Sequence, residues 1–409
     1  MYIYPADIML PDFSRVDGTK WATVACDQYT SEPEYWLGVK ERVGDAPSAY
    51  KLILPEVWLD ESAARIPTVH AAMDTYIASD WLIEHKACGI YLERRLSGGK
   101  IRRGIVAAVD LEDYDYSVGS TSAIRATEKT VVERIPPRLE VRRDAALELP
   151  HILLLVDDVE DKILGPLAGR AADAYDFALD GTAGAVRGAF IAEAEFAAIN
   201  AAIDEAVKSR GSKNAPIVFA VGDGNHSLAT AKAAYEEIKA KISAEAAASH
   251  PARYALCELG NLHDASLEFE PIYRIVETSD PCDLVEKFRA LAESTCGDAA
   301  AQSFTVITEG KSEVITVAKP ALTLAVGTLQ KFLDEYTAEH PDTVTDYIHG
   351  EDTLCRLAEK KGCVGFLFNG IEKSELFPAV ENDGALPRKT FSMGHAADKR
   401  YYVECRKIK

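Results

Sequence analysis

Five consecutive residues in the middle of this sequence carry a carboxylate, an amide, an imidazole and a hydroxyl. They are Asp223-Gly224-Asn225-His226-Ser227, and they follow the apolar run 217–222 directly. A helical pattern of apolar residues begins immediately after them. A turn that opens a helix points several main-chain N–H groups at one place, which favours an anion, most often a phosphate. We therefore predict that this segment, the Asp223 turn, is the active-site turn.

Within the Asp223 turn, Asp223 and His226 are the candidate catalytic residues, and Gly224, Asn225 and Ser227 are candidate phosphate or nucleotide ligands. Asp or Asn before a helix is also a favoured N-cap, so capping alone explains part of the pattern. Capping does not explain His226, because the positive end of a helix favours a neutral imidazole that suits hydrogen bonding or general-base work. The spacing matches neither a Walker loop nor a complete dinucleotide fingerprint, since Ser227 replaces the third glycine.

A second group of candidates lies between residues 125 and 143, the one basic patch visible in an acidic chain. Arginine forks suit bidentate recognition of phosphate or carboxylate, although a basic helical face is as often merely solvated. On a helix, Arg138 and Arg142 share a face, whereas Glu128 and Lys129 cannot, so part of the patch points elsewhere. The candidate phosphate or nucleotide ligands here are Arg125, Glu128, Lys129 and Thr130.

Three further stretches place reactive side chains in turn-like surroundings. Arg388 and Lys389 follow Pro387, an arrangement that suits an anion clamp. His349 stands before a glycine and is either part of an ordinary strand-to-helix cap or a further candidate. Asp27 follows a strand predicted over residues 21–26 and is either a turn former or an alternative general base.

The composition excludes several classes of protein. The 409 residues include 65 acidic and 45 basic ones, and the formal net charge of −20 opposes binding to nucleic acid or to an anionic membrane surface. The absence of a long apolar run and of a secretory signal predicts a cytoplasmic protein. The eight cysteines form no C-x-x-C pair, so neither a zinc ribbon nor a redox dithiol is indicated. We expect no metal site built from protein side chains alone.

The elements around these candidates predict a mixed fold of the α/β or α+β kind. Residues 88–110 read as a hairpin, and a second hairpin is expected where residues 175–179 and 186–191 flank a glycine-containing loop. After the Asp223 turn, apolar residues recur three and four apart, which predicts a helix. We expect an N-terminal region, residues 1–250, and a C-terminal α/β region, residues 251–409, that pack together.

Several dispersed motifs together resemble the family of domains of unknown function numbered 1015. They are Ala25-Cys26-Asp27-Gln28-Tyr29-Thr30, Thr127-Glu128-Lys129-Thr130, the Asp223 turn, Ile348-His349-Gly350 and Leu386-Pro387-Arg388-Lys389-Thr390-Phe391. The resemblance covers essentially the whole chain. It implies a ParB/sulfiredoxin-like core, a fold shared by CTP-binding partition proteins, sulfiredoxin and kinases of free serine. In those relatives a glycine-containing turn that opens a helix cradles nucleotide phosphates.

The usual turn of the family is Asp-Gly-His-His-Arg, whereas this chain has Asn225 and Ser227 in place of the first histidine and the arginine. No cysteine lies in or near the turn, which opposes sulfiredoxin chemistry, and the net charge opposes partition-type DNA binding. The loss of the arginine implies compensation by another cation: Arg125, Lys129, Arg388 or Lys389.

Three interpretations are open at this point. The first is a phosphotransferase of the kinase type, in which the Asp223 turn holds the phosphates of a nucleotide that arrives with Mg²⁺, and the acceptor is a small metabolite. The second is a protein that binds a nucleotide or an anionic metabolite and senses it without chemistry. A third, plainer reading makes the turn a cap and places the function in an interface. The residues leave these alternatives open, as they do the substrate and the oligomeric state.

Overall fold

The computed structural model describes residues 1–26, 29–30, 32–181, 184–211, 215–394 and 396–409. The chain divides into two units: the first comprises Met1–Ala126, Thr130–Leu267 and Gly394–Lys409, and the second comprises Thr127–Lys129 and Glu268–Met393. The mixed α/β class is confirmed. The two units differ from the regions 1–250 and 251–409, because a strand at residues 254–261 belongs to the large sheet of the first unit and the last residues return to that unit.

Strands and helices alternate along the first unit. Its strands are β1 (Ala6–Pro11), β2 (Thr23–Val24), β3 (Leu82–Arg95), β4 (Ile101–Asp110), β5 (Ile124–Ala126), β6 (Leu147–Glu148), β7 (Leu153–Val156), β8 (Tyr175–Ala178), β9 (Ala185–Ala192), β10 (Phe219–Asp223), β11 (Tyr254–Asn261), β18 (Tyr401–Tyr402) and β19 (Arg406–Lys407). Its helices are α1 (Gly18–Trp21), α2 (Pro33–Val43), α3 (Ser62–Ala78), α4 (Ile135–Arg143), α5 (Phe196–Ser209), α6 (Asn225–Lys239) and α7 (Ala244–Ser249).

A mixed sheet, nine-stranded in the described part of the chain, organises the first unit. Its order is β5-β10-β7-β11-β4-β3-β9-β8, with β1 paired to β3. β10 runs parallel to β5 and antiparallel to β7, and β7 runs parallel to β11. Both hairpins expected from the sequence are confirmed, as β3–β4 and β8–β9. β18 pairs with β2 and β19 with β6, so the last residues of the chain are tied to its first half.

Side-chain alternation along the strands gives the large sheet two apolar faces. On one face, Leu154 and Val221 belong to the same buried cluster as Leu228 and Tyr235 of α6. The helical spacing predicted after the Asp223 turn is therefore confirmed, and burial of each large aliphatic side chain contributes about 1.5–3 kcal/mol to holding α6 in place. A second buried cluster on the other face includes Ile8, Ile90, Val106, Leu256 and Val403.

The second unit has its own antiparallel sheet. Its strands are β12 (Phe269–Glu277), β13 (Gln302–Thr308), β14 (Lys311–Val317), β15 (Val344–His349), β16 (Cys363–Phe368) and β17 (Phe391–Met393), in the order β14-β13-β16-β12-β15 with β17 paired to β12. Its helices are α8 (Pro281–Ser294), α9 (Ala325–Glu339), α10 (Glu351–Ala358) and α11 (Lys373–Asp383). The ring of Phe288 on α8 packs edge-on against Phe304 and Phe366, with centroid distances of 5.1 and 5.4 Å. In the described residues, no helix has the length and apolar character needed to cross a bilayer.

Candidate functional site

The Asp223 turn joins β10 to α6 at the C-terminal end of the strand. β10 ends at Asp223, Gly224 takes the N-cap position with φ 77° and ψ 26°, and Asn225 begins α6. The main-chain N–H of Gly224 donates to Oδ1 of Asp223 at 2.9 Å. The strand-turn-helix arrangement expected from the sequence is confirmed, and it fixes a carboxylate at the positive end of a 15-residue helix.

Gly224 is required both by its backbone conformation and by its neighbour. Its φ of +77° lies in the left-handed region, and a Cβ at this position would lie 2.9 Å from Cα of Ile152. We expect Gly224→Ala to lower the free energy of unfolding by about 1–3 kcal/mol, because strained backbone is combined with a main-chain clash. Urea denaturation measures the loss. Gly98→Ala is the control, since a Cβ at Gly98 meets nothing within 4 Å, and equal losses would contradict the expectation.

An ion pair with Lys399 fixes the charge of Asp223. Nζ of Lys399 lies 3.1 Å from Oδ2 of Asp223, whose side chain is 30% exposed. Burial on its own raises the pKa of this carboxyl, but the Lys399 ammonium and the His151 imidazole outweigh it, so the pKa lies below its ordinary value. Asp223 is therefore ionised at neutral pH and can accept a proton or ligate a cation.

His151 links the first turn of α6 to the C-terminal segment. Its Nε2 lies 3.1 Å from Oγ of Ser227, and its Nδ1 lies 2.6 Å from the phenol oxygen of Tyr402. Burial raises the pKa of Tyr402, so this phenol is neutral. The three side chains form a continuous series of hydroxyl, imidazole and phenol, in which Tyr402 orients the imidazole and the imidazole positions the hydroxyl.

Asn225 and His226 contact the segment that follows β5. Nδ2 of Asn225 donates to Oγ1 of Thr130 at 3.0 Å, and Oδ1 of Asn225 accepts from the hydroxyl of Tyr114 at 3.3 Å. The main-chain N–H of Val131 donates to Nε2 of His226 at 3.2 Å. Nε2 of His226 is therefore an acceptor already engaged with the main chain. These contacts bring Thr130 to the turn.

A pocket of about 210 Å³ lies beside the first turns of α6, and its lining residues all belong to the first unit. Ser227, His151 and Tyr402 line it together with many apolar side chains. Arg138 and Arg142 of α4 also line it, which agrees with their predicted position on one face of a helix. Both arginines are paired: Arg138 binds Glu56, and Nη2 of Arg142 lies 2.6 Å from Oε2 of Glu148.

One further candidate, Arg125, is engaged with the main chain. Arg125 lies in β5, is buried, and donates through Nε to the carbonyl of Ser122 at 2.8 Å and through Nη2 to the carbonyl of Ala215. Its guanidinium therefore holds main-chain carbonyls of the first unit. Asp27 lies outside the described residues, and its predicted role as an alternative base stays a prediction.

The second unit brings together candidates that are about 260 residues apart in the sequence. Glu128 forms an isolated parallel β-bridge with Leu386. The main-chain N–H of Leu386 donates to the carbonyl of Thr127 at 2.7 Å, and the N–H of Lys129 donates to the carbonyl of Leu386 at 3.3 Å. Lys129, Arg388 and Lys389, whose side chains are exposed and which lie on these two connected segments, are called the cationic cluster below.

A buried arginine that the sequence did not single out holds this cluster in place. The guanidinium of Arg274, which is 0% exposed, donates to the carbonyls of Lys389 at 3.1 Å and Arg388 at 3.2 Å, and to Oε1 of Gln330 at 2.7 Å. Burial lowers the pKa of Arg274 to about 10, which leaves it charged at neutral pH. Lys389 has φ +56°, an unusual value for a side-chain-bearing residue, so the loop is held in a strained conformation.

His349 is the last residue of β15, in register with Ile272 of β12, and its side chain is exposed. Gly350 and α10 follow it directly. This is an ordinary strand-to-helix connection, and the role of His349 as a further candidate stays a prediction.

Sequence reasoning missed Lys399, His151 and Tyr402. Lys399 and Tyr402 lie at the C-terminal end of the chain, and His151 precedes β7. No spacing rule connects them to residue 223, because their proximity depends on sheet pairing between distant segments. The sequence did contain a local signal of a possible site. His151 directly precedes the apolar run of β7, and Lys399 and Arg400 directly precede Tyr401 and Tyr402 of β18.

The fold and the site define a mixed α/β protein in which a strand-turn-helix segment carries an ionised carboxylate beside a pocket. The chain matches the family model described as "Protein of unknown function (DUF1015)" over residues 12–336, and the protein belongs to that family. The resemblance read from the dispersed motifs is thereby confirmed, while a ParB/sulfiredoxin-like core stays a prediction. No curated protein matches the sequence.

Several solved structures share a distant similarity. A free serine kinase in complex with AMP matches with a TM-score of 0.38 and 11% identity, over 74% of this chain and 91% of that one. A conserved hypothetical protein from Pyrococcus furiosus matches with a TM-score of 0.34 and 12% identity, over 74% and 95% of the two chains. SbnI with a C-terminal truncation, from Staphylococcus aureus, matches with a TM-score of 0.35 and 8% identity, over 71% and 82%. Similarity at this level carries no functional argument.

Proposed function

We propose that the protein is a nucleotide-dependent phosphotransferase of the kinase type that acts on a small metabolite. The observation that carries this proposal is the ionised carboxylate of Asp223 at the N-terminus of α6, with the Lys399 ammonium 3.1 Å away. The helix N-terminus and the ammonium both attract phosphate, and the carboxylate can take the proton of an acceptor hydroxyl. Phosphoryl transfer depends mainly on such positioning and charge neutralisation.

The donor set suits a Mg²⁺ ion that arrives with the nucleotide. Within the described residues, no group of three or more His, Cys, Asp or Glu side chains could hold a metal ion. Mg²⁺ is commonly bound through one or two carboxylates, with substrate phosphates and waters as the other ligands. Asp223 fits that pattern as the protein carboxylate. Bound Mg²⁺ would neutralise phosphate charge, while Gly224, Asn225 and Ser227 position the nucleotide.

A nucleotide-binding protein without catalysis is the second candidate. It is favoured by His226, whose Nε2 already accepts the main-chain N–H of Val131 and is therefore engaged rather than directed at a substrate. The cationic cluster of the second unit, which contains Lys129, Arg388 and Lys389, is a candidate phosphate site under either function. Turnover distinguishes the two candidates.

We expect nucleotides to raise the melting temperature of the protein. A nucleotide at about 100 times its Kd stabilises the folded state by about 2.7 kcal/mol, which a thermal-shift panel of ATP, CTP and GTP with and without Mg²⁺ detects. Lys399→Met should weaken nucleotide affinity by roughly tenfold or more, because hydrogen bonds to charged groups contribute about 1.5–3 kcal/mol. Lys407→Met is the control, since Lys407 pairs with Glu84 at 3.2 Å and takes no part in the turn.

The same samples decide between the two candidates. Wild-type protein incubated with the stabilising nucleotide and a mixture of small hydroxyl compounds should yield a new phosphate ester in ³¹P NMR. Stabilisation without any product would support the binding protein. No stabilisation by any nucleotide, or equal losses in Lys399→Met and Lys407→Met, would contradict a nucleotide site at the Asp223 turn.

A further inference from the structure

The pocket beside α6 is walled by apolar side chains from separate segments of the first unit. Leu52, Leu59, Met73, Leu147 and Ile152 contribute to its lining. Its volume is about 210 Å³. An apolar cavity of about 150 Å³ in another protein accepts benzene, so this pocket has room for a molecule somewhat larger than benzene. A mainly apolar lining with a few polar groups is typical of a small-molecule site.

The charged residues of the pocket compensate one another. Arg138 is paired with Glu56, and Arg142 with Glu148. Glu148 is 7% exposed and also accepts from Nε of Arg406 at 2.8 Å and from the main-chain N–H of Leu256 at 2.9 Å. Among the described lining residues, both arginines are therefore paired with glutamates, so a charged ligand would have to compete for counter-charges that are already engaged. Moving such a ligand out of water costs free energy that no new ion pair offsets.

Hydrogen-bonding side chains are present at one place in the pocket. Oγ of Ser227 lies 3.1 Å from Nε2 of His151, and Nδ1 of His151 lies 2.6 Å from the phenol of Tyr402. A ligand hydroxyl can both donate and accept, so it can join this series at Ser227 or His151. Ser227 is itself a residue of the Asp223 turn, so the series begins at that turn.

We propose that this pocket binds a small, mainly apolar, uncharged alcohol, and that this alcohol is the acceptor substrate. The role as acceptor rests on the phosphotransfer proposed above, whereas the binding does not. In that reaction the alcohol oxygen forms a bond to the terminal phosphorus of a nucleoside triphosphate, and the bond from that phosphorus to the bridging oxygen breaks. The nucleoside diphosphate leaves with the electron pair, and the alcohol proton passes to the carboxylate of Asp223.

Binding is tested on the wild-type protein without nucleotide, using three probes of similar size: benzyl alcohol, benzoate and benzylammonium. Titrations followed by ligand-observed NMR give the Kd values. We expect benzyl alcohol to bind at least about tenfold more tightly than either ion, because the two arginines and two glutamates of the pocket already pair with one another. Tighter binding of benzoate, which could displace Glu56 from Arg138, would overturn the assignment, as would binding of none of the three probes.

Two variants locate the binding. Ser227→Ala should weaken the binding of benzyl alcohol by roughly fivefold to tenfold, because one hydrogen bond is lost, and should leave the affinity for toluene unchanged. Leu59→Trp should abolish binding of both probes by filling the pocket. Ser303→Ala, an exposed serine of β13 in the second unit, is the matched control. Unchanged alcohol affinity in both Ser227→Ala and Leu59→Trp would overturn the site, and circular dichroism confirms that each variant is folded.

The acceptor role has a separate readout. Benzyl alcohol and the nucleotide that stabilises the protein should together yield benzyl phosphate in ³¹P NMR, and Leu59→Trp should remove this product while nucleotide binding persists. Alcohol binding together with nucleotide binding but without product would overturn the acceptor role and leave the binding site standing. Alcohol binding without any nucleotide binding would instead contradict the phosphotransferase itself.

Discussion

Replacing Asp223 by asparagine is expected to reduce nucleotide-dependent turnover by about 10²–10⁴-fold, the usual contribution of a positioned acid or base. Asparagine keeps an Oδ1 acceptor for the main-chain N–H of Gly224, which Asp223 accepts at 2.9 Å, so the turn retains its shape. It loses the negative charge that pairs with Lys399 and that takes the acceptor proton. Rates of nucleoside diphosphate release, compared at saturating nucleotide, measure the effect on kcat.

The matched control is Asp157→Asn. Asp157 also follows a strand of the large sheet, but β7 runs antiparallel to β10, so it lies at the opposite edge from Asp223. There it pairs with Nε2 of His263 at 2.6 Å. Asp157→Asn should leave turnover close to that of the wild type. Full activity in Asp223→Asn, or equal losses in the two variants, would remove Asp223 from the mechanism.

The pH profile gives the same residue a second readout. Because Lys399 and His151 outweigh burial, the folded pKa of Asp223 lies below its ordinary value of 3.8. The stability that this depressed pKa contributes is present above 3.8 and is lost as the pH falls through the folded pKa. Turnover should therefore not decline through protonation of Asp223 over roughly pH 5–7. In Lys399→Met the pKa of Asp223 rises, and the acid limb of the profile should move to higher pH.

Local patterns predicted the local structure of the site. Apolar alternation and glycine-containing turns marked the β3–β4 and β8–β9 hairpins, and the three-and-four spacing after residue 227 marked α6. In each case the signal and the structure lie within one short stretch of chain. The spacing of Arg138 and Arg142 likewise places both on one face if the segment is helical; the segment is helical, and both arginines line the same pocket.

Long-range pairing could not be predicted in this way. Arg125 and Lys129 stand four residues apart in one basic patch, yet they belong to different units. Arg125 lies in β5, which pairs with β10 of the first unit, whereas Lys129 bonds to Leu386 of the second. The site also needs Lys399, which reaches Asp223 across 176 positions. Such contacts are set by strand order and by the return of the C-terminus, neither of which has a periodic signature.

Arg400→Met is expected to lower the free energy of unfolding of the first unit by about 3–5 kcal/mol, the usual loss when one member of a buried charged group is removed. The guanidinium of Arg400 lies 2.6 Å from an oxygen of Glu258 and 2.6 Å from an oxygen of Glu404. Its Nε also donates to the carbonyl of Pro150 at 3.1 Å. Glu258 and Glu404 are 1% and 0% exposed, so the variant leaves two carboxylates buried with less compensation.

The loss of stability in Arg400→Met should depend on pH. Burial raises the pKa of Glu258, but Arg102 and Arg400 outweigh it and hold the pKa below its ordinary value of 4.5. The stability that this depressed pKa contributes is present above pH 4.5 and is lost as the pH falls through the folded pKa. The difference in free energy of unfolding between wild type and Arg400→Met should therefore become smaller in acid. Urea denaturation at several pH values measures the gap.

The control for Arg400→Met is Arg289→Met, because the ion pair of Arg289 with Glu313 is exposed and screened by solvent and should contribute little to stability. Equal losses in these two variants would contradict a structural role for the buried group. Arg400 lies between Lys399, which pairs with Asp223, and Tyr402, which orients His151. If the buried group positions this segment, folded Arg400→Met should bind nucleotide more weakly, and Arg289→Met should not. Stability and phosphate binding would then share one cause, the anchoring of the C-terminal segment beside the Asp223 turn.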